Sequence, residues 1–316
     1  PPSSVLVATD SHGRNTYRVD PSDKSDQWAN AYKPEPTYDG SVWSTLTDPF
    51  TFEEYHQIVK SLKQNSAAGA DTITANVYAH LPKQAAATAH SLLALFQLHN
   101  VLPTQLKFGL ICPIHKNKTK APGIDNYRPI TLLAVATKII ERFYAYRIKR
   151  ILTQHPEALR DPLQHGFLPT SSVSSPLLQL ALALDDAHSK GTFSDPRELW
   201  ISSFDVSKAF DSPEQWHIEI ALRSLKLPER FIAFIREFNF NATSSLITAA
   251  GPCPPTLLQR GVQQGAVLSP FIYIALLSAL NRRLSKLPDP YITTSNITIK
   301  GAAFADDMLS LSLIHI

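Results

Sequence analysis

Two adjacent carboxylates, Asp306 and Asp307, stand between apolar runs in Phe304-Ala305-Asp306-Asp307-Met308-Leu309. Side-by-side acids repel each other and lose hydration on burial unless positive charge sits on them. A divalent ion is the usual partner. Hard oxygen ligands suit Mg²⁺, which completes its shell with water and phosphate oxygens. The β-favouring residues on both sides (Ile297, Ile299 and Phe304 before; Met308, Leu309 and Leu311 after) predict a hairpin with the acids at its tip. A plain polar turn is the competing reading of this stretch taken alone. Asp185-Asp186 provides a contrast within the chain: Leu177, Leu180, Ala181 and Leu184 recur there at helical spacing, so those acids are expected on a solvated helix face.

The elements that must position such acids can be read upstream. In Phe204-Asp205-Val206-Ser207-Lys208-Ala209-Phe210-Asp211, the β-prone run Leu199 to Phe204 puts Asp205 near a strand end. Ser212-Pro213-Glu214-Gln215 then predicts a helix start, with Ser212 as N-cap and Pro213 in the first helical position. Two strand-borne acidic sites fit two-metal phosphoryl transfer, in which ions roughly 4 Å apart clamp the attacking and leaving oxygens. Between them lies Gln259-Arg260-Gly261-Val262-Gln263-Gln264-Gly265-Ala266-Val267-Leu268-Ser269-Pro270. It predicts a glycine-punctuated loop, able to approach a ligand closely, ahead of a helix capped by Ser269 and apolar nearly all round from Phe271 to Leu284. Gln264 can hydrogen-bond a base or sugar.

In order and spacing, these three segments resemble motifs A, B and C of reverse transcriptases. Two further segments, Asn126-Tyr127-Arg128-Pro129-Ile130-Thr131-Leu132-Leu133 and Gln164-His165-Gly166-Phe167, resemble fingers motifs of LINE-type (non-LTR) retrotransposon polymerases, and Leu62 to Asp71 resembles the stretch that precedes them. The resemblance covers roughly residues 50–310, and five ordered motifs carry weight that none has singly. It implies an α+β right-hand polymerase, with an antiparallel palm sheet packed on helices. It makes Asp205, Asp306 and Asp307 the catalytic acids and metal ligands for two Mg²⁺ ions, with Mn²⁺ as a substitute. Phe210 matches the aromatic that blocks a ribose 2′-hydroxyl, and Gln264 and Gly265 match residues near the incoming nucleotide and template base. Arg128, and after it Lys116, match basic positions facing the triphosphate, where a planar guanidinium can bind phosphate in a fork.

The implied activity is RNA-directed DNA synthesis from an RNA template, a DNA or RNA primer and dNTPs, with an endonuclease domain fused in the full-length protein and a nuclear location. Two rivals stay open: an intron-type reverse transcriptase or RNA-templated RNA polymerase, and a catalytically inactive RNA-binding remnant. Phe210 argues against an RNA polymerase. The sequence departs from the family at Leu168, where an Arg is usual, and at Phe304, where many relatives have Tyr.

A net charge of +3 on 316 residues says little, but Lys107 to Arg150 holds ten Lys/Arg against Asp125 and Glu141, a local balance of 10 − 2 = +8. Such a block could attract a phosphate backbone; a solvated basic helix over Lys138 to Ile151 is the alternative. Cys112 and His115 have zinc-like spacing, yet the only other cysteine, Cys253, has no ligand motif beside it, so two buried thiols in a reducing, intracellular compartment are expected. His80, His90 and His99 lie in a leucine- and alanine-rich helical region and are expected on its surface or in packing. No apolar run is long enough for a membrane span.

Four regions are expected: a polar lead-in over 1–48, a helical extension over 49–106 (helices at Phe52 to Leu62 and Gln84 to Asn100), fingers over 107–198, and palm over 199–316. In the palm, Phe231, Phe234, Ile235 and Phe238 form a stripe expected to pack a helix on the sheet, and Ser245 to Ala249 with Thr256 to Gln259 are expected to pair as strands. The chain reads as a fragment without a thumb. Its closing Leu311-Ser312-Leu313-Ile314-His315-Ile316 resembles translated adapter sequence.

Overall fold

The computed structural model describes residues 39–116, 123, 126–169, 171–189, 199–206, 208–240, 242–286, 290–293 and 296–312, together with the backbone of 5–9 and 15–19. Most of the polar lead-in, Lys118, Lys120, Asp125, Ser207 and Leu313 to Ile316 lie outside the described residues. The chain is a mixed α+β protein in which helices surround two principal sheets.

The helical body is built first along the chain. After the hairpin β1 (Val5–Thr9) and β2 (Asn15–Val19), a 3₁₀ helix over Ser41–Thr47 leads into α1 (Phe52–Ser61), α2 (Ala75–Ala79), α3 (Lys83–His99) and α4 (Thr104–Lys107). Helix α1 starts where a capping box closes: Thr51 Oγ1 accepts from the Glu54 N–H, and Glu54 accepts from the Thr51 N–H. Trp43 and Leu46 of the 3₁₀ helix are fully buried, so the lead-in ends in core, not in linker. A three-residue turn has neither the 3.6 nor the 2.0 period, so its apolar pattern gave no warning. His80 bonds the Asn76 carbonyl of its own helix, and His90 bonds the Phe50 carbonyl at 2.7 Å.

Two strands follow, β3 (Phe108–His115) and β4 (Tyr127–Leu132), then the 20-residue helix α5 (Val135–Gln154). Ile139, Ile140, Phe143 and Tyr144 of α5 are completely buried, so this is the central helix of the body and not a solvated basic one. Its Arg147 guanidinium donates to both Glu54 carboxylate oxygens (2.8 and 2.9 Å) and to the carbonyls of Thr45, Asp48 and Pro49, while lying 4.2 Å over the Phe143 ring. One side chain thereby ties the 3₁₀ helix, α1 and α5 together.

The remaining helices are α6 (Ser174–Ser189), α7 (Gln215–Ser224), α8 (Glu229–Phe240) and α9 (Ser269–Leu284); between them lie β5 (Trp200–Phe204), β6 (Thr243–Thr248), β7 (Gly251–Pro252) and β8 (Thr256–Leu257). Strands β9 (Tyr291–Ile292), β10 (Thr298–Ile299), β11 (Gly301–Phe304) and β12 (Asp307–Ser312) complete the described chain. The aromatic stripe of α8 is buried as expected, but against helices rather than a sheet: Tyr144 of α5 lies 5.0 Å from Phe231 and 4.7 Å from Phe234. Helix α6 is a partial exception to the solvated-face expectation: Asp185 is exposed, whereas Asp186 accepts a 2.9 Å bond from the Tyr291 hydroxyl.

One sheet has the order β11-β12-β5 and is antiparallel throughout. The other has the order β4-β3-β6-β7, with β8 also on β6, and is mixed because β3 and β6 run parallel. Strand β8 does pair with β6, but through Thr243 and Ser244, ahead of the expected start at Ser245, while Ser245 and Leu246 pair with β3 and Ile247 and Thr248 with β7.

Candidate active site

The acidic hairpin forms as predicted, but its tip separates the two acids. Phe304 pairs with Asp307, leaving Ala305 and Asp306 as the two-residue turn, with Ala305 at φ 58°. Asp307 is already the first residue of β12, and successive residues entering a strand point to opposite faces. Asp306 is half-buried and lines a cleft; Asp307 is exposed and does not. Asp205 falls one residue beyond the last β5–β12 pair, Phe204↔Met308, and lines the same cleft.

The chain around Asp205 turns more tightly than expected. Lys208 takes φ 53°, and its carbonyl accepts from the Asp211 N–H and from both the N–H and hydroxyl of Ser212. Ser212 is therefore used inside the turn, and helix α7 begins two residues later than predicted, with Glu214 at its N-cap position.

The glycine loop before α9 serves the protein's own backbone. Gly261 (φ 82°) donates its N–H to the Pro213 carbonyl at 2.7 Å, and a Cβ there would meet the Phe210 carbonyl oxygen at 2.7 Å. Val262 donates to the Phe210 carbonyl at 2.8 Å. Gly265 (φ 114°) lies against β4: a Cβ would stand 2.6 Å from the Thr131 carbonyl oxygen, while the Thr131 N–H donates to the Gln264 carbonyl. Both glycines admit neighbouring backbone, and Gly265 is not in the cleft lining. Ser269 is also reassigned. Its hydroxyl donates to the Gln263 carbonyl, and the orphan Leu268 N–H at the helix start goes instead to the fully buried Glu141 carboxylate, 3.1 Å away. Burial pushes the Glu141 carboxyl up to about 7, against the lowering effect of the Leu268 and Val267 N–H groups.

The cleft is open and about 1010 Å³ in volume, and it gathers Asp205, Asp306, Phe210, Gln264, Arg128 and Lys116. Five separate segments supply them. Arg128 lies on β4 and Lys116 just after β3, its N–H donating to the Asn126 carbonyl. The Gln264 amide donates to both Asp211 oxygens at 3.2 Å, so it enters the cleft already oriented. Phe210 is backed by Tyr273 of α9, their rings stacked 5.0 Å apart. Among the described residues the buried Tyr273 hydroxyl has no hydrogen-bond partner; burial raises its pKa, and the charges of Asp306 and Asp205 raise it further.

Sequence reasoning did not assign Tyr273, Lys208 or Arg260, although the last two also line the cleft. Arg260 stood next to Gly261 in the loop and could have been found there. Tyr273 sits in an otherwise apolar helix and carried no signal.

The Gln164-His165-Gly166-Phe167 segment runs along the free edge of β11. Ala303 donates to the Leu163 carbonyl and accepts from the His165 N–H, both at 2.7 Å. Leu168 packs partly buried against the main core. The basic block is smaller in effect than its count, because Arg147 is consumed internally and Lys107 pairs with Glu237 at 2.6 Å. Cys112 and Cys253 are half-buried and unbridged. Among the described residues no group of three His, Cys, Asp or Glu comes together, and no helix is long and apolar enough to cross a membrane.

Asp205 and Asp306 share the cleft with Arg128, Lys116 and the Phe210 ring, a set chemically able to hold a divalent ion and a triphosphate. The sequence profile described as "Reverse transcriptase (RNA-dependent DNA polymerase)" matches residues 114–313, and the chain belongs to that family. Its relatives include the "Retrovirus-related Pol polyprotein from type-2 retrotransposable element R2DM" of Drosophila melanogaster, 26% identical over 85% of this chain and 23% of that protein. The "RNA-directed DNA polymerase from mobile element jockey" of Drosophila funebris is 29% identical over 72% of this chain and 24% of its own length. The corresponding R2 protein of Nasonia vitripennis is 30% identical over 61% of this chain and 18% of its own. These place the chain with the LINE-type, non-LTR branch, and it spans about a quarter or less of the length of these relatives.

Proposed function

We propose that this chain forms the centre at which a primer 3′-hydroxyl is extended with deoxynucleotides on an RNA template. The observation that carries the reading is the single cleft in which Asp205, Asp306, Phe210, Gln264, Arg128 and Lys116 meet. Residues 107–198 then act as fingers and those from 199 as palm.

The donor set suits Mg²⁺: two carboxylates face one cleft, and this ion prefers few protein oxygens plus water and phosphate. Asp205 and Asp306 would hold it; Asp307, exposed at the strand start, is in position to act from outside that pair. When bound, the metal stabilises charge building on the phosphate oxygens. The chain's own residues do the rest by positioning and electrostatics. Arg128 and Lys116, which line the same cleft, grip the triphosphate. Phe210, propped by Tyr273, fills the space a ribose 2′-hydroxyl would need. Gln264, its amide fixed by Asp211, sets the nucleotide against the template. The protein works inside the cell, in the nucleus, and joined to an endonuclease.

Primer extension with poly(A), oligo(dT), dTTP and Mg²⁺ tests the reading, using the protein at its natural full length. Extension that disappears in Asp306→Ala supports it. RNA binding without extension in the parent protein would turn the assignment to a non-catalytic binder.

A further inference from the structure

The 161–166 segment makes a set of contacts that the polymerase reading does not use. Gln164 is buried, and its side-chain oxygen accepts from two backbone N–H groups, Ala305 at 2.9 Å and Gly166 at 2.7 Å. Its amide nitrogen donates to the Ala305 carbonyl at 3.4 Å. The Ala305 peptide is thus held on both sides by one side chain. Ala305 is the positive-φ residue of the hairpin turn, immediately before Asp306. A Cβ on Gly166 would collide with the Ala305 nitrogen, so the segment can lie this close only with glycine there.

Gln164 is fixed in turn. Asp161 Oδ1 accepts from the N–H groups of Leu163 and Gln164, and Asp161 Oδ2 accepts from Asn281 on α9 at 2.8 Å. Asn281 is wholly buried. A continuous line of directed bonds therefore runs from α9 through Asp161 and Gln164 to the peptide that aims Asp306.

We propose that Gln164 is a positioning residue of the polymerase centre, setting the direction of the Asp306 carboxylate by its two-sided hold on the Ala305 peptide. The physical logic is that of outer ligands in metal sites, which orient the groups that touch the ion. An αL alanine has no intrinsic preference for that conformation, so the turn depends on an external clamp. The inference rests on the polymerase reading for the role of Asp306, but the clamp itself can be tested without activity.

Gln164→Met is the decisive variant, because it keeps volume and packing while removing every hydrogen bond of the amide; Gln164→Ala accompanies it. Hydrogen exchange of the 303–308 peptide, Mn²⁺ binding followed by loss of the free-ion EPR signal, and the Mg²⁺ dependence of primer extension are measured in the full-length protein. Faster exchange at 303–308 is expected in both variants, with metal affinity weakened ~10-fold or more. Turnover should fall ~10- to 100-fold while the nucleotide KM stays within about twofold of the parent. Exchange and Mn²⁺ affinity in Gln164→Met equal to the parent would overturn the proposal and leave Gln164 as packing. If the parent and variants all fail to extend a primer, the polymerase reading falls; exchange and Mn²⁺ binding still decide the clamp.

Discussion

The helical body and the acidic hairpin are held by opposite means. Around Phe143, Tyr144, Phe231 and Phe234, large side chains interlock in one continuous core, and the buried guanidinium of Arg147 is paired with a carboxylate and several carbonyls. Around Asp306 the apolar contacts are few: Leu163, Ala303 and Met308 make a small cluster, and directed backbone bonds from β5 and from the 163–165 segment do the fastening. Apolar contacts add up without regard to direction and tolerate small shifts; a hydrogen bond to one peptide fixes an orientation but offers no redundancy. The difference teaches where damage shows. A lesion in the body should cost stability, and one near the hairpin should cost chemistry.

Asp306→Ala should sharpen that contrast most. The expected outcome is loss of primer extension by ~1000-fold or more, with the melting temperature close to the parent's, because a carboxylate in an open cleft contributes mainly to transition-state electrostatics. Arg147→Ala should do the reverse. It leaves the Glu54 carboxylate and four carbonyls (Thr45, Leu46, Asp48 and Pro49) without their shared donor and should destabilise the protein by about 3–5 kcal/mol, read from urea unfolding. A stable Arg147→Ala protein would break the comparison.

Gly265→Ala lies on the boundary between the two regions. The φ of 114° and the approach to Thr131 should cost about 1–3 kcal/mol and should also lower turnover, since the loop carries Gln264. Unfolding midpoint and kcat, measured together, check it. Glu141 adds an effect that shows only as a pH dependence. Its folded pKa of about 7 lies above the ordinary 4.5, so the folded protein binds the extra proton between those values. Its contribution is complete below about 4.5 and is lost as pH rises through about 7. Glu141→Gln should flatten the fall in melting temperature between pH 5 and pH 8 without reversing the order of the other variants.

The residues that line the cleft were easier to read than those that hold them in place. Asp205, Asp306 and Gln264 announce themselves through short-range signals: acids at strand ends and a glycine-punctuated loop. Their meeting in one cleft followed from the order of the segments. The supports have no such local signature. Glu141 caps a helix 127 positions away, and Gln164 bonds Ala305 across 141. Trp43 is buried from a 3₁₀ turn inside a polar stretch. At Gly261 and Gly265 a φ above zero says that something comes close but not what, and the neighbours found there are backbone. Ser212 and Ser269 both looked like helix caps because local preference favours them; each hydroxyl was instead taken by a carbonyl in a tighter neighbouring turn.

The pairing of β5 with β12 also sets an order of events on the ribosome. Asp205 leaves about a hundred residues ahead of Asp306, which at ~5–20 residues per second is a wait of roughly 5–20 s. Throughout that interval β5, with Trp200, Ile201 and Phe204 on it, lacks the strand that covers its edge, a state open to mispairing with other chains. The helical body can collapse early on its own aromatics, whereas the two halves of the acidic centre come together only when the last hairpin emerges.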